Sequence, residues 1–481
     1  MLALMSIQPF PSLLVQRDRL TPLGSFAEAQ AMYLSPDPET VATLDRLARE
    51  KNVGIVAHYY MDPELQGVLA RLSWSHVWIS DSLLMADQAV KMAQAGVKRV
   101  VVLGVDFMSE NARAMLDAGG FADVPVYRVA ADPIGCSLAA AADSLTYSAW
   151  LEKASRTPRS VHVVYINTSL LTKARSHAKV PTITCTSSNV LATVLDAFAS
   201  IEDGHVFFGP DTYMGRNLER ILSTLANASS DDEVRALHPK HTRATVKDAL
   251  KRFHYFEQGN CIVHHMFGAE VVKEARKNHP DAFVTAHLEV PGEMFELALE
   301  KKAQGRGAVG STSDILGFIT KKIREASAIE GAQKLSFLLG TEAGMITSIV
   351  REVQRVLGEA GRDDVVCEIV FPVAAESMTV AADSPLAIVP GVSGGEGCTT
   401  AGGCATCPYM KMNSLDALIS LCERFDVEDD DRLTAFFPNV YAEEVAGRKV
   451  AELGGVPILH MRAFQKDGRL PAALIEDVLT R

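Results

Sequence analysis

One local pattern recurs along the chain and constrains its fold more than any other feature. A short, apolar, β-branched run ends in a small or polar residue, and a stretch with helical spacing of apolar residues follows it. Such runs occur at 53–60, 99–108, 161–168, 182–190, 205–212, 260–267, 282–290, 307–315, 334–345 and 365–372. Runs this apolar are typical of strands covered on both faces, as in parallel sheets. The pattern therefore predicts an α/β fold with parallel strands and helical crossovers.

The number of these units predicts more than one sheet. A chain of 481 residues exceeds one ordinary core, and its length suggests roughly two to four domains. The segment 228–258 interrupts the rhythm, because it is charged and helical in pattern, and it is interpreted as an insertion. About ten strand units are too many for one small sheet, so we expect several sheets, each with its own helices. No low-complexity linker divides the chain, so we expect the domains to pack together.

Charge and composition exclude some classes of partner. The formal net charge of -12 argues against nucleic acid or an acidic membrane surface as a partner of the whole protein. No apolar run approaches the ~18 residues that span a membrane. The eight cysteines are too widely spaced for a small disulfide framework, which favours a reducing compartment. We therefore expect a cytoplasmic protein.

The ends of the predicted strands carry polar side chains at one position after another. In open parallel sheets, ligands bind beyond the carboxyl ends of the strands. A lone histidine at such a place is more often a core residue, and a lone serine or threonine is more often a helix N-cap. Here the repetition favours a functional site. The residues that follow or end the runs include His58, Tyr60, Tyr165, Asn167, Ser187, Cys261, His264, His287, Glu289 and Thr312.

Three turns place hydroxyl groups at the start of a predicted helix, at 80–86, 185–192 and 310–317. A helix N-terminus offers unpaired backbone N–H groups and the positive end of the helix dipole. A hydroxyl group added there makes an anion site without a basic residue. Several such turns would suit a ligand that carries two or three carboxylate or phosphate groups.

The most specific local motif is the segment 394–413, in which Cys404 and Cys407 form a C-x-x-C pair that Pro408 follows. Taken alone, this pair could be half of a zinc site, a redox dithiol or part of an iron–sulfur ligand set. The chain lacks a second C-x-x-C, so a cluster would need cysteines from distant positions. Cys136, which precedes a helical stretch, and Cys261 are the two candidates.

Ten blocks of sequence resemble the signature blocks of the quinolinate synthase family and occur in the family's order. They are HYYMDPELQ (58–66), SDSLLMA (80–86), GVDFMSENA (104–112), DPIGCSLA (132–139), YINTSLLTKA (165–174), CTSSNV (185–190), FGPDTYMGRN (208–217), CIVHHMF (261–267), GSTS (310–313) and GEGC…GGCATCPYMKMN (395–413). The resemblance covers about residues 50 to 420.

This resemblance implies an α/β fold of three three-layer αβα domains with short parallel sheets, related by a pseudo-threefold axis around a central iron–sulfur site. The implied order is an N-terminal arm (1–45), αβα domains at 46–130, 131–258 and 259–410, and a C-terminal helical segment at 411–481. The second domain would include the helical insertion near 228–258, and C-terminal residues would complete the first domain.

The resemblance also implies a cofactor, a reaction and partners. Cys136, Cys261 and Cys407 would hold one [4Fe-4S] cluster, whose fourth iron would act as a Lewis acid. The implied substrates are iminoaspartate and dihydroxyacetone phosphate, which condense to quinolinate for NAD synthesis with loss of phosphate and water. The oxidase that produces iminoaspartate is an implied partner, and a monomer or a homodimer is the implied assembly.

The implied roles of the site residues follow the family motifs. His58, Tyr60, His287 and Glu289 would perform proton transfer. The substrate would contact His58, Ser82, Tyr165, Ile166, Asn167, Ser187, His264, His287, Leu288, Glu289 and Thr312. The chain departs from the family where His-Pro-Glu becomes His287-Leu288-Glu289. The alternatives are another [4Fe-4S] hydro-lyase, a non-catalytic iron–sulfur or thiol redox sensor, and a zinc-binding module.

Overall fold

The computed structural model describes residues 10–372, 406–428, 430–439, 441 and 443–481. Contacts between Cα atoms divide the chain into two compact units. The first unit comprises the described residues of Met1–Asp37, Asp62–Gly67 and Ile262–Lys411, and the second unit comprises those of Pro38–Met61, Val68–Cys261 and Met412–Arg481. The domain boundaries that the resemblance implies stay a prediction.

The strands are short, as the lengths of the apolar runs predict. They are β1 (Ser12–Val15), β2 (Leu20–Leu23), β3 (Val53–His58), β4 (Val77–Ser80), β5 (Arg99–Leu103), β6 (Val126–Tyr127), β7 (Ser160–Tyr165), β8 (Thr182–Cys185), β9 (His205–Gly209), β10 (Phe253–Tyr255), β11 (Phe283–His287), β12 (Gly307–Gly310), β13 (Gln333–Gly340), β14 (Val365–Val370), β15 (Glu444–Val445) and β16 (Arg448–Lys449).

Helices follow most of the strands. They are α1 (Ser25–Tyr33), α2 (Pro38–Glu50), α3 (Pro63–Leu69), α4 (Ser82–Gln94), α5 (Asp106–Ala118), α6 (Ser137–Ala142), α7 (Leu145–Ser155), α8 (Leu170–Lys179), α9 (Val190–Ser200), α10 (Thr212–Ala226), α11 (Asp231–Arg235), α12 (Arg243–Ala249), α13 (Ala269–Asn278), α14 (Gly292–Ala303), α15 (Thr312–Ser327), α16 (Ile346–Ala360), α17 (Leu415–Arg424), α18 (Asp430–Leu433), α19 (Val450–Asp467) and α20 (Ala472–Thr480). Short 3₁₀ turns include His264–Met266 and Ala343–Met345.

Two parallel four-stranded sheets form the second unit. Their strand orders are β4-β3-β5-β6 and β10-β9-β7-β8. All six residues of β3 and all six of β7 are buried, because each strand lies inside its sheet and helices cover the sheet faces. The long helix α19 packs against α8, β8 and α5, so the C-terminal part of the chain belongs to the core of this unit.

A six-stranded sheet forms the first unit, with the order β12-β11-β13-β14-β1-β2. Its strands β11 to β14 are parallel, and β1 joins β14 in antiparallel register, with Ser12 opposite Val370. Among the described strands, β2 pairs with β1 alone and forms the edge of this sheet. The predicted α/β class, with several short and mostly parallel sheets flanked by helices, is confirmed.

One predicted strand is absent and several observed strands were not predicted. The run 260–267 forms a turn and a 3₁₀ turn rather than a strand. Two hydrogen bonds hold Gly259, the residue directly before this run. The Thr212 N–H donates to the Gly259 carbonyl at 2.7 Å, and the Gly259 N–H donates to Thr212 Oγ1 at 3.0 Å. The unpredicted strands are β1, β2, β4, β6, β10, β15 and β16.

Candidate active site and cysteine ligands

The carboxyl edge of the first sheet in the second unit carries His58, Tyr60 and Ser82. His58 ends β3, and its Nδ1 accepts a hydrogen bond from the Tyr60 N–H at 3.1 Å. In a neutral imidazole, this bond places the proton on Nε2. The two rings meet edge to face, with centroids 4.8 Å apart. The Asp81 carboxylate caps α4 by accepting from the Leu84 N–H at 3.0 Å, so the neighbouring Ser82 is not the capping residue.

The second sheet of this unit ends in a similar row of polar groups. Tyr165 lies opposite Cys185 in the ladder between β7 and β8, and the Ile166 N–H extends the ladder to the Cys185 carbonyl at 2.9 Å. Tyr165 and Ile166 are buried, whereas Asn167 and Ser187 are half-buried. The last two side chains are therefore the ones that a ligand at this edge could reach.

The segments that carry Cys136 and Cys261 are in contact within the second unit. Cys136 precedes α6 in an extended conformation, and the next residue, Ser137, donates from Oγ to the Asn260 carbonyl at 2.9 Å. Asn260 directly precedes Cys261. Both cysteines are half-buried. Positions 125 residues apart in sequence are thus held together by a hydrogen bond between their immediate neighbours.

The remaining described cysteines divide into two classes. Cys407, in the first unit, is half-buried, and its carbonyl accepts from the Lys411 N–H at 3.2 Å. Cys185, Cys367 and Cys422 are fully buried. Burial raises the thiol pKa of all three, to about 12 for Cys422. These three thiols therefore belong to the hydrophobic core. Cys398 and Cys404 lie outside the described residues.

Within the first unit, two histidines and a glutamate meet after β11. His264 Nδ1 lies 3.0 Å from Glu289 Oε2, and His287 Nδ1 lies 3.8 Å from Glu289 Oε1. The imidazole rings of His264 and His287 stack, with centroids 4.9 Å apart and planes 16° from parallel. All three side chains are buried. The sequence-predicted pair of His287 and Glu289 is thereby joined to His264.

Burial decides the protonation of His287. It lowers the pKa of His287 to about 4, although the Glu289 carboxylate opposes this shift. His287 is therefore neutral at physiological pH. Its Nδ1 accepts from the Glu289 N–H at 3.4 Å, so the proton of the neutral ring lies on Nε2. The intervening Leu288 is buried and donates its N–H to the Gly310 carbonyl at 3.2 Å, which fixes the backbone where the family has proline.

The start of α15 lies at the end of β12 in the same sheet. Ser311 caps α15, because its Oγ accepts from the Asp314 N–H at 3.2 Å. The Asp314 carboxylate in turn accepts from the Ser311 N–H at 2.8 Å. The predicted Thr312 is the first residue of the helix and is buried. The capping role therefore belongs to Ser311 and not to Thr312.

Glu342, an acidic residue of the same unit, is a further candidate that was not predicted from the sequence. It follows β13, it is 3% exposed, and its pKa is raised well above the ordinary value by burial and by the charge of Glu289. Glu289 was selected because it is a polar residue at the end of an apolar run. Glu342 meets the same criterion, because the run 334–345 contains it. The group of His264, His287 and Glu289 does not include Glu342. In this group, one possible metal-ligand atom from each residue lies within 4.8 Å of the other two.

Comparison with known protein families identifies the family of this chain. The family model described as "Quinolinate synthetase A protein" matches residues 42–382, which is well over half of the chain. The chain belongs to the quinolinate synthase family. The resemblance inferred from the ten sequence blocks is confirmed.

Among the described residues, no helix combines the length and the apolar character that crossing a membrane requires.

Individual members of the family extend the comparison. A "Quinolinate synthase, chloroplastic" of Nicotiana tabacum is 52% identical over 98% of this chain, and one of Arabidopsis thaliana is 49% identical over 99%. A "Quinolinate synthase" of Prochlorococcus marinus (strain MIT 9303) is 26% identical over 86% of the chain and 94% of its own length. The chain spans 66% of the tobacco relative and 68% of the Arabidopsis relative.

The expected cytoplasmic location is wrong by this comparison. The similar proteins of tobacco, Arabidopsis and rice are all named as chloroplastic. The expectation came from the wide spacing of the cysteines, which indicates a reducing compartment but does not distinguish one such compartment from another.

Proposed function

We propose that the chain is a quinolinate synthase that condenses iminoaspartate with dihydroxyacetone phosphate and releases phosphate and water. The match of the family model to residues 42–382 is the observation that carries this proposal. The strand-end residues support it, because two sheets of the second unit and the sheet of the first unit each end in polar side chains at the carboxyl edge. We also propose a plastid location, as for the plant relatives.

The residues present fit an iron–sulfur cluster. We propose that Cys136, Cys261 and Cys407 each supply one thiolate to a [4Fe-4S] cluster. These three cysteines are half-buried, whereas the other described cysteines are fully buried and their raised pKa keeps them protonated. When bound, a cluster with three protein ligands supplies an iron with an open coordination position, which is a Lewis acid.

Helix starts can bind the anionic groups of the substrates. Ser82 begins α4 and Thr312 begins α15, and in each case the preceding residue supplies the cap. The backbone N–H groups and positive dipole ends of these helices attract carboxylate or phosphate oxygens. Hydroxyl groups at such positions donate to the same oxygens. This arrangement explains how a chain of net charge -12 could hold substrates that are themselves anions.

Proton transfer can be performed by two groups of side chains. In the first unit, the Glu289 carboxylate lies 3.0 Å from His264 Nδ1, so it can take a proton from that ring and return it. His287 is neutral and carries its proton on Nε2, which makes that atom a donor. In the second unit, the neutral form of His58 would have the same tautomer, because its Nδ1 accepts from the Tyr60 N–H.

Two alternatives remain distinct. Another [4Fe-4S] hydro-lyase would keep the same ligands but act on a hydroxy acid. The second alternative is a site for a single zinc or iron ion. The separate cluster of His264, His287 and Glu289 has the donor types that such a site needs. Replacing His287 by asparagine would then remove the metal from the purified protein, whereas loss of Cys136 would not.

The proposal is tested by anaerobic purification followed by a quinolinate-formation assay with both substrates. Wild-type protein should form quinolinate and should show the brown absorbance of a cluster. Cys136→Ser should lose both, while the matched variant Cys185→Ser, at a buried core thiol, should keep both apart from a modest loss of stability. Cluster-loaded wild-type protein that forms no quinolinate would contradict the proposed reaction, and full activity of Cys136→Ser would contradict the ligand assignment.

A further inference from the structure

A lysine that the proposed mechanism does not use is fully buried behind the turn after β7. Lys173, in α8, is 0% exposed. Its Nζ donates to the Ile166 carbonyl at 3.1 Å and makes a second, short hydrogen bond to the Thr168 carbonyl. The two acceptors flank Asn167. A buried ammonium group that donates to the residues on both sides of the half-buried Asn167 restrains the backbone of Asn167 from the interior of the protein.

The turn itself is tight and depends on these acceptors. The Thr168 N–H donates to the Ile166 carbonyl at 2.7 Å across a single residue, and Thr168 Oγ1 donates to the Tyr165 carbonyl at 3.1 Å. Ser169 then caps α8 by accepting from the Thr172 N–H at 3.0 Å. Asn167 is thus the central residue of a three-residue turn, and its half-buried side chain lies at the carboxyl edge of the sheet.

A second buried charge balances the lysine. Glu110, in α5, accepts from the Leu170 N–H at 2.8 Å, from Asn439 Nδ2 at 3.1 Å and from the Tyr441 hydroxyl at 2.9 Å. Burial lowers the pKa of Lys173 to about 7, while the charges of Glu110 and Asp143 oppose that shift. The carboxylate therefore favours the charged ammonium form that the two carbonyls need.

We propose that Lys173 is a positioning residue that holds Asn167 in its substrate-binding conformation by hydrogen-bonding the carbonyls on both sides of it. This inference rests on the proposed function, because Asn167 is a proposed substrate contact. The alternative interpretation is that Lys173 only neutralises Glu110. The two differ in what happens when both charges are removed together, since charge balance would then be restored but the turn would still lack its donor.

The first experiment measures the turn directly and does not depend on the reaction. Hydrogen–deuterium exchange of a peptide that covers residues 164–169 should be at least about tenfold faster in Lys173→Met than in the wild type. Lys179→Met is the matched control, because Lys179 lies in the same helix but donates to Ser148 and Glu152 at the surface. Unchanged exchange in the turn of Lys173→Met would overturn the proposal.

The second experiment measures the consequence for catalysis. Lys173→Met should lower kcat/KM by roughly 10- to 100-fold, the loss expected from a contact misplaced by about an ångström. In a double-mutant cycle, Lys173→Met should add less than about twofold to the loss caused by Asn167→Ala. Fully additive losses would overturn the proposal.

A double variant separates the effect on the turn from a loss of stability. The pair Lys173→Met with Glu110→Gln leaves no unbalanced buried charge, so it should regain thermal stability relative to Lys173→Met alone. Its kcat/KM and its fast exchange in the turn should stay as in Lys173→Met. Recovery of both properties would mean that Lys173 only balances Glu110. If the wild type forms no quinolinate while the exchange results hold, the proposed function fails and the role of Lys173 in the turn stands.

Discussion

Replacing Glu342 by glutamine should change how the free energy of unfolding depends on pH. Glu342 is 3% exposed, and both burial and the nearby charge of Glu289 raise its pKa well above the ordinary value of 4.5. Its Oε2 atom has no hydrogen-bond partner among the described residues. The folded protein therefore keeps a proton on this carboxyl group at pH values where the unfolded chain has lost it.

The sign and the size of the effect follow from proton linkage. Above the unfolded pKa, the folded state binds one proton more than the unfolded state, so the free energy of unfolding falls as pH rises. A full proton difference corresponds to about 1.4 kcal/mol for each pH unit. Glutamine has nearly the same shape and does not titrate. The stability of Glu342→Gln relative to wild type should rise by about 1.4 kcal/mol per pH unit until the folded pKa is reached.

Urea unfolding curves measured at about pH 5.5 and about pH 6.5, with matched iron content, test this slope. The absolute difference between the proteins includes a constant cost for the amide hydrogens of glutamine, so the slope is the decisive quantity. Glu330→Gln, which removes an exposed glutamate of the same unit, should leave the slope unchanged. Parallel stability curves for Glu342→Gln and wild type would refute the reasoning, because they would mean that Glu342 is ionised in the folded protein.

Three further outcomes follow from the described contacts. Burial lowers the pKa of His162 to about 3. The free energy of unfolding should therefore fall as pH decreases from about 6.5 towards 3, by up to about 1.4 kcal/mol per pH unit. In acid unfolding curves, His162→Gln should show a smaller fall. Glu289→Gln should lower kcat by roughly 10²- to 10⁴-fold at a nearly unchanged melting temperature, since it removes a proton acceptor, and steady-state kinetics checks this. Gly67→Ala would place Cβ 2.0 Å from the Tyr33 carbonyl oxygen and should cost about 1–3 kcal/mol, whereas the control Gly317→Ala, which meets nothing within 4 Å, should raise the melting temperature slightly.

The apolar runs predicted the central strands because those strands are buried on both faces. The segment VGIVAH, for example, becomes β3, with all six residues buried. The edge and antiparallel strands were not predictable in this way. Strand β2 is half exposed and reads LTPL, which carries no apolar run, and β1 joins the sheet by pairing with β14. Such pairing depends on residues some 350 positions away, which a local pattern does not contain.

The run 260–267 shows the opposite error. Its composition suits a strand, but the backbone there forms a turn and a 3₁₀ turn, and two hydrogen bonds to Thr212 hold Gly259 directly before it. For the site, the polar residues at the ends of the apolar runs pointed to His287 and Glu289, and the run 334–345 offered Glu342 in the same way, although it was not selected. The contact between the segments of Cys136 and Cys261 also depends on folding, since the Ser137 hydroxyl and the Asn260 carbonyl are 123 residues apart.

The central claim is that Cys136, Cys261 and Cys407 together hold one [4Fe-4S] cluster. Iron and acid-labile sulfide, quantified per chain after anaerobic purification, test it most directly. We expect about four of each in the wild type, close to none when any one of the three cysteines is replaced by serine, and wild-type amounts in Cys422→Ser. Zinc in place of iron in the wild type, or undiminished iron and sulfide after loss of any one of the three cysteines, would contradict the account.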